Sequence, residues 1–186
     1  GARTMLMAEH RPCNLCGSDM PVTVAEFAPW NGLQFRAARC GSCGLIYVDP
    51  MPVLDQEALQ EVYREDYYRE GWGASEWDTN SLRMRQLYET CLKQGQFIEG
   101  YVTKGSVLDF GCGIGYFLKA MKDRGWASYG VEPSAYASDY ARRMFGLDVT
   151  TGTLQEARFP PESMDVIVLG HVIEHLPDPS GMLFKL

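Results

Sequence analysis

The stretch Val107-Leu108-Asp109-Phe110-Gly111-Cys112-Gly113-Ile114-Gly115 constrains this chain more than any other. An apolar run ends in an acid, glycines alternate, and apolar residues at helical spacing follow from Tyr116 to about Arg124. That order predicts a buried parallel strand turning sharply into a helix, with a small molecule held against the turn. Alternate glycines remove side chains where backbone must approach a ligand, and they reach left-handed dihedrals without strain.

The rest of this half repeats the theme. The pattern predicts a first strand over 106–110 and its helix over 116–124, stopped by Gly125. A second strand over 127–131 ends at Glu132, and Pro133-Ser134 open a helix that runs to about Phe145 and stops at Gly146. A short third strand covers 148–151, and an apolar fourth covers 166–170 after the turn Pro160-Pro161-Glu162-Ser163. Such alternation predicts an α/β fold, a Rossmann-like doubly wound parallel sheet with ligands at the strand C-terminal ends.

From about Tyr101 onward the chain resembles the class I S-adenosylmethionine-dependent methyltransferases. The glycine stretch carries this, with Val131-Glu132-Pro133-Ser134, Gly152-Thr153-Leu154, Met164-Asp165-Val166-Ile167-Val168 and His171-Val172-Ile173-Glu174-His175-Leu176-Pro177-Asp178-Pro179. The resemblance implies that Asp109, Gly111, Cys112, Gly113 and Gly115 hold the methionyl end of S-adenosylmethionine. Glu132 would take the ribose, Pro133 would border the adenine, Thr153 and Leu154 would meet its edge, and His171 would lie beside the sulfonium. Where the family often has an aspartate this chain has Thr153, which points to a backbone contact with the adenine. An acid at Glu132 also suits a dinucleotide. Tyr116, however, stands where a dehydrogenase loop has its third glycine, and Asp109 would repel a pyrophosphate but suit a cationic amino acid. These features favour S-adenosylmethionine over a nicotinamide cofactor.

His171-x-x-Glu174-His175 also matches an inverted zinc-protease pattern, but Pro177 and Pro179 end any helix after about one turn. As methyltransferase residues, His171 and His175 are candidate general bases for an acceptor hydroxyl, or pocket-shaping groups partnered by Glu174.

Toward the N-terminus, Cys13-x-x-Cys16-Gly17 and Cys40-x-x-Cys43-Gly44 offer four thiolates on two tight turns, the sulfur set of a structural zinc site. Each following glycine can take a positive φ that turns backbone N–H groups toward the sulfurs. Strands over 22–27 and 33–37 around the turn Pro29-Trp30-Asn31-Gly32, and a third over 45–48, complete a zinc ribbon. A pair of disulfides is the alternative, disfavoured in a cytosolic chain. Cys91 and Cys112 fall outside the metal set. Between the modules, Asp49-Pro50-Met51-Pro52 reads as a turn, residues 55–70 as one helix capped by Asp55, and 78–101 as another. Tyr67, Tyr68, Trp72 and Trp77 either pack the connector or form a lid over a cofactor pocket.

The sequence therefore predicts a zinc ribbon over 1–50, a helical and aromatic connector and lid over 51–104, and a cofactor domain over 105–186. The family fold continues with further strands, so this last region reads as the N-terminal half of a domain. The fourth strand would then be left at an edge, open to self-association. The combination with a ribbon resembles methyltransferases of sugars, lipids and secondary metabolites, implying a small-molecule acceptor. Ribosomal RNA methyltransferases share the architecture, but the net charge of −7 disfavours a nucleic-acid partner. A non-catalytic binding module is the other alternative. No signal-like or membrane-spanning run is present, which makes the cytoplasm the default location and a membrane partner unexpected.

Overall fold

The computed structural model of the chain describes residues 7–29, 33–53, 56–71, 81–153, 156–176 and 178–184. Trp30, Asn31, Gly32, Asp55, Trp72, Trp77, Asp78, Leu154 and Pro177, all singled out above, lie outside the described residues. The chain divides into two compact units: Gly1–Ala58 together with Ile173–Leu186, and Leu59–Val172. This division differs from the expected boundaries at 50 and 104. The connector helices beyond residue 58 pack inside the second unit, and the C-terminal residues belong with the first.

The first unit contains β1 (Met7–Glu9), β2 (Pro21–Glu26), β3 (Arg36–Cys40), β4 (Ile46–Asp49) and β5 (Met51–Val53). β2, β3 and β4 form an antiparallel meander, and β1 pairs with β5. β3 lies at 36–40 rather than the expected 33–37 because it runs into the cysteine turn. Pro21 pairs with Cys40, and the Cys40 N–H donates to the Leu45 carbonyl at 2.8 Å. β5 forms where the prolines suggested only a turn. Pro52 sits in a two-stranded ladder opposite Ala8, an edge setting that tolerates its missing N–H. A short helix, Pro179–Leu183, is capped by Asp178, whose carboxylate accepts from the Gly181 N–H. Asn14 ties this segment down, donating to Asp178 at 2.8 Å and accepting from the Ser180 N–H at 2.9 Å.

The helices α1 (Gln56–Val62) and α2 (Glu65–Gly71) replace the single helix expected over 55–70. The cause is tertiary. Ser134 Oγ donates to the Tyr63 carbonyl at 2.5 Å, and the Tyr67 N–H turns back to the Arg64 carbonyl, so the helical ladder breaks between them. In α3 (Leu82–Glu99) Ser81 is the N-cap, and Met84, Cys91 and Gly95 are buried. A Cβ at Gly95 would lie 2.9 Å from Met121 Sδ, so the glycine is what allows α3 to approach its neighbour closely.

There follow β6 (Ser106–Phe110), α4 (Tyr116–Asp123), β7 (Ala127–Glu132), α5 (Ala135–Phe145), β8 (Asp148–Thr151) and β9 (Val166–Val168). Their four strands form one parallel sheet in the order β8-β7-β6-β9. The Rossmann-like α/β expectation holds, and β9, shorter than expected, forms one edge. Gly146 ends α5 at φ +59, and Ser134 caps its start by accepting from the Ala137 N–H. Val107, Leu108, Leu118, Met121 and Val131 are at most 2% exposed. Each contributes about 1.5–3 kcal/mol by leaving water. No helix among the described residues is long and apolar enough to cross a membrane.

Candidate functional site

At the C-terminal ends of β6 and β7 the glycine loop is stitched to the sheet: the N–H groups of Gly111 and Cys112 donate to the Val131 carbonyl at 2.7 and 3.2 Å. Gly111, Gly113 and Gly115 have φ of +79°, +53° and +86°, conformations that side chains resist. Their surroundings differ. A Cβ at Gly111 would lie 2.4 Å from Val172 Cγ2, and one at Gly115 would lie 2.7 Å from Leu147 and 2.8 Å from Ala141. Those two glycines are demanded by the protein's own packing. At Gly113 a Cβ would meet, among the described residues, only the Tyr68 ring, in ordinary contact at 3.9 Å. Cys112 points inward. Its sulfur packs among Leu118, Ala141, Leu147 and Val149, burial pushes its thiol pKa well up, and the outer face of the loop there is backbone.

Two acids stand beside this loop. Glu132, 3% exposed, accepts from the Gly113 N–H at 2.7 Å through Oε2, and from the Ser134 N–H at 2.8 Å and the Tyr68 hydroxyl at 3.3 Å through Oε1. Burial nevertheless pushes its pKa up, against the opposing pull of those N–H groups. Asp109, 6% exposed, has no side-chain hydrogen bond among the described residues. Burial, and then the charge of Glu132, raises it to about 7. No lysine, arginine or histidine among the described residues pairs with either acid. A buried carboxyl without a cation either keeps its proton or takes its counter-charge from a ligand. This donor set fits an ammonium or sulfonium at Asp109 and a hydroxylated sugar at Glu132.

Three other sequence candidates, Pro133, Thr153 and His171, each follow a strand of this sheet. Pro133 continues from Glu132, and its carbonyl accepts from Gln60 Nε2. Thr153, just past β8, is committed to Glu156: its N–H and Oγ both bond Glu156 Oε2, at 2.7 and 3.0 Å. His171 lies exposed in the turn after β9, with φ +58. The next residue, Val172, is the one that rests on Gly111. His175 ends a single 3-10 turn, Ile173–His175, in the first unit. The two histidines thus share no sustained helix, which removes the geometry a protease pattern needs.

In the first unit, the sulfurs of Cys13, Cys16, Cys40 and Cys43 all lie within 4.8 Å of one another. Cys13–Cys43 is 3.5 Å and Cys16–Cys40 is 3.6 Å, far beyond a disulfide bond of about 2.05 Å. They are close to the edge of about 3.8 Å that zinc–sulfur bonds of about 2.3 Å give a tetrahedron. Gly17 and Gly44 have φ of +71° and +82°, as expected, but the Gly44 N–H goes to the Cys40 carbonyl. The Cys43 and Ser42 N–H groups reach the Cys40 sulfur instead and bring its thiol down to about 6. Sequence reasoning missed a charge network here. Asp49, read as a turn residue, is 2% exposed and accepts from Arg36 Nη2 and Nε at 2.6 and 3.0 Å, and its other oxygen lies 2.6 Å from His10 Nδ1.

Residues 80–186 match the family model described as a methyltransferase domain. Among curated proteins, an uncharacterized methyltransferase of Geobacillus thermodenitrificans is 35% identical over 74 residues, covering 39% of this chain and 34% of that one. The ubiquinone biosynthesis O-methyltransferase of Pseudomonas entomophila is 32% identical over 115 residues, covering 57% of this chain and 44% of that one. The chain spans 34% to 44% of the length of the curated relatives it matches. Among solved structures, the magnesium protoporphyrin IX methyltransferase of Synechocystis with bound S-adenosylmethionine aligns with a TM-score of 0.52 at 19% identity, covering 70% of each chain. The PH0226 protein of Pyrococcus horikoshii aligns at 0.51 and 26% identity, covering 66% of this chain and 55% of that one.

Proposed function

The chain belongs to the methyltransferase-domain family, and from that premise we propose that it takes part in methyl transfer from S-adenosylmethionine to a small-molecule acceptor. The single observation that carries this reading is the pair of buried acids, Asp109 and Glu132, set against a positive-φ glycine loop with no cation among the described residues to neutralise them. Bound S-adenosylmethionine would supply an activated methyl group on a sulfonium. In this reading Asp109 holds the cationic methionyl end, and the backbone of Gly111, Cys112, Gly113 and Gly115 lets it approach. Glu132 orients the ribose, Pro133 flanks the adenine, and Thr153, whose N–H and hydroxyl are both bonded to Glu156, borders the adenine edge. Leu154 joins that edge as the sequence resemblance implies.

His171 is the candidate group for receiving an acceptor proton, since it is exposed beside the loop that Val172 contacts. In-line displacement on an activated donor depends mainly on positioning and exclusion of water, so the rate need not collapse without a strong base. The net charge supports a small molecule rather than a nucleic acid as acceptor. The four cysteines would hold a zinc ion that organises the first unit and, with every position filled by sulfur, leaves none open for catalysis.

Calorimetric titration with S-adenosylhomocysteine tests the site. Binding to the wild type that is lost in Glu132→Gln supports it, and absence of binding in a folded wild-type sample overturns it. Methyl incorporation from labelled S-adenosylmethionine into candidate hydroxylated metabolites then separates an enzyme from a binding module.

A further inference from the structure

Tyr68 occupies acceptor capacity that the ribose needs. A carboxylate offers about four lone-pair sites. Glu132 spends three of them on the protein: one on the Gly113 N–H, one on the Ser134 N–H, and one on the Tyr68 hydroxyl. A vicinal diol donating both hydroxyls to this carboxylate needs two sites, and one is left. Of the bonds already present, the two to backbone N–H groups are short and belong to the loop and to the start of α5. The Tyr68 bond, at 3.3 Å, is the longest, and among the described residues it is the only one made by a side chain.

Tyr68 also stands where the diol's sugar would approach. Its ring is 3.9 Å from the Cβ position of Gly113, the one glycine of the loop that the packing of described residues does not demand, and the residue is 5% exposed. The residue sits in the middle of α2, which is fastened to the β7–α5 turn at its start through Ser134 and the Tyr63 carbonyl. The Tyr63 junction separates α2 from α1. The Tyr68 ring lies edge-on to Tyr67 at 5.1 Å and tilted to Tyr136 at 6.1 Å.

We propose that Tyr68 is the affinity-setting residue of the ribose subsite: its hydroxyl holds the place of one sugar hydroxyl on Glu132, and ligand binding displaces it together with α2. This rests on the reading of Glu132 as the ribose acceptor. The competition makes Tyr68 oppose binding, whereas a residue that simply contacts the ligand would favour it.

The test is a titration of wild type, Tyr68→Phe and Glu132→Gln with S-adenosylhomocysteine and with its 2′-deoxy analogue, alongside hydrogen exchange of residues 65–71. Removing one hydrogen bond to a charged acceptor should tighten S-adenosylhomocysteine binding to Tyr68→Phe about tenfold. With the 2′-deoxy analogue the gain should vanish, because one hydroxyl needs only the site already free. Amides of α2 should exchange faster in the wild-type complex than in the free protein. Unchanged or weaker binding to Tyr68→Phe, or slower exchange of α2 on binding, overturns the displacement while loss of binding in Glu132→Gln leaves the ribose assignment standing. Binding that survives in Glu132→Gln, or is absent from the wild type, removes the ribose assignment and the inference with it.

Discussion

Each unit of the molecule buries an aspartate, and the two are treated in opposite ways. Asp49 in the first unit is 2% exposed and fully matched: Arg36 and His10 grip its two oxygens and, against the cost of burial, hold its pKa below the usual carboxylate range. Asp109 in the second unit is 6% exposed, has no such partner among the described residues, and is raised to about 7. The wider settings are inverted as well. Among its described residues the first unit buries one large apolar side chain, Phe35, and leaves Val22, Val24, Ile46 and Val48 exposed on the ribbon. The second has several apolar clusters packed between its sheet and helices. A unit with little core is held by polar and sulfur chemistry, in which the buried charge is answered. A unit with ample core can carry an unanswered charge, and that surplus is what a ligand can use.

This contrast can be broken at several points. The largest effect should come from the sulfurs. If zinc holds the first unit, then chelation, or Cys40→Ser, removes on the order of 10 kcal/mol of metal-linked folding energy there. The ribbon amides should lose hydrogen-exchange protection while β6, β7 and α4 keep theirs. Loss of protection in both units together would show that the core of the second is not self-sufficient.

The two aspartates should then respond with opposite signs. A carboxyl whose folded pKa is raised costs stability once pH exceeds its unfolded value, and the cost grows until pH reaches the folded value of about 7, above which it is constant. Asp109→Asn removes that cost. The ligand-free variant should be more stable than the wild type by on the order of 2–4 kcal/mol at pH 8 and nearly equal to it at pH 4, read by denaturant melts. A destabilised Asp109→Asn at pH 8 would mean that Asp109 has a structural partner after all.

Asp49→Asn should do the reverse. It forfeits charge-assisted bonds to a half-exposed Arg36, a loss of about 1–2 kcal/mol at neutral pH. Because the Asp49 pKa is depressed, its contribution is present above the unfolded value near 4 and fades as pH falls below it, so variant and wild type should converge in acid. A constant difference between pH 7 and pH 3 would point to packing rather than charge.

Much of the second unit was legible beforehand because its signals are local. The apolar run into Asp109, the alternating glycines, the Ser134 cap and the Gly146 stop each act within a few residues, and β6, β8 and α5 formed where they pointed. The four cysteines were equally readable, since a tetrahedral sulfur set needs only two tight turns. What depended on distant partners was not. The break between α1 and α2 comes from Ser134, seventy-one residues away in sequence. The strand β5 needed β1, and the burial of Asp49 needed Arg36 and His10.

The sequence by itself determined the kind of site: which acids, which flexible loop and which sulfurs, because residue chemistry and short-range backbone preference are written locally. Only the tertiary structure decided which of those groups the protein satisfies itself and which it leaves for a ligand. Hydrogen-bond capacity is shared out across the fold, and Glu132 and Asp109 differ in how much of theirs remains. That remainder is set by Tyr68, Gly113 and Ser134 arriving from three separate elements, and no local pattern records it.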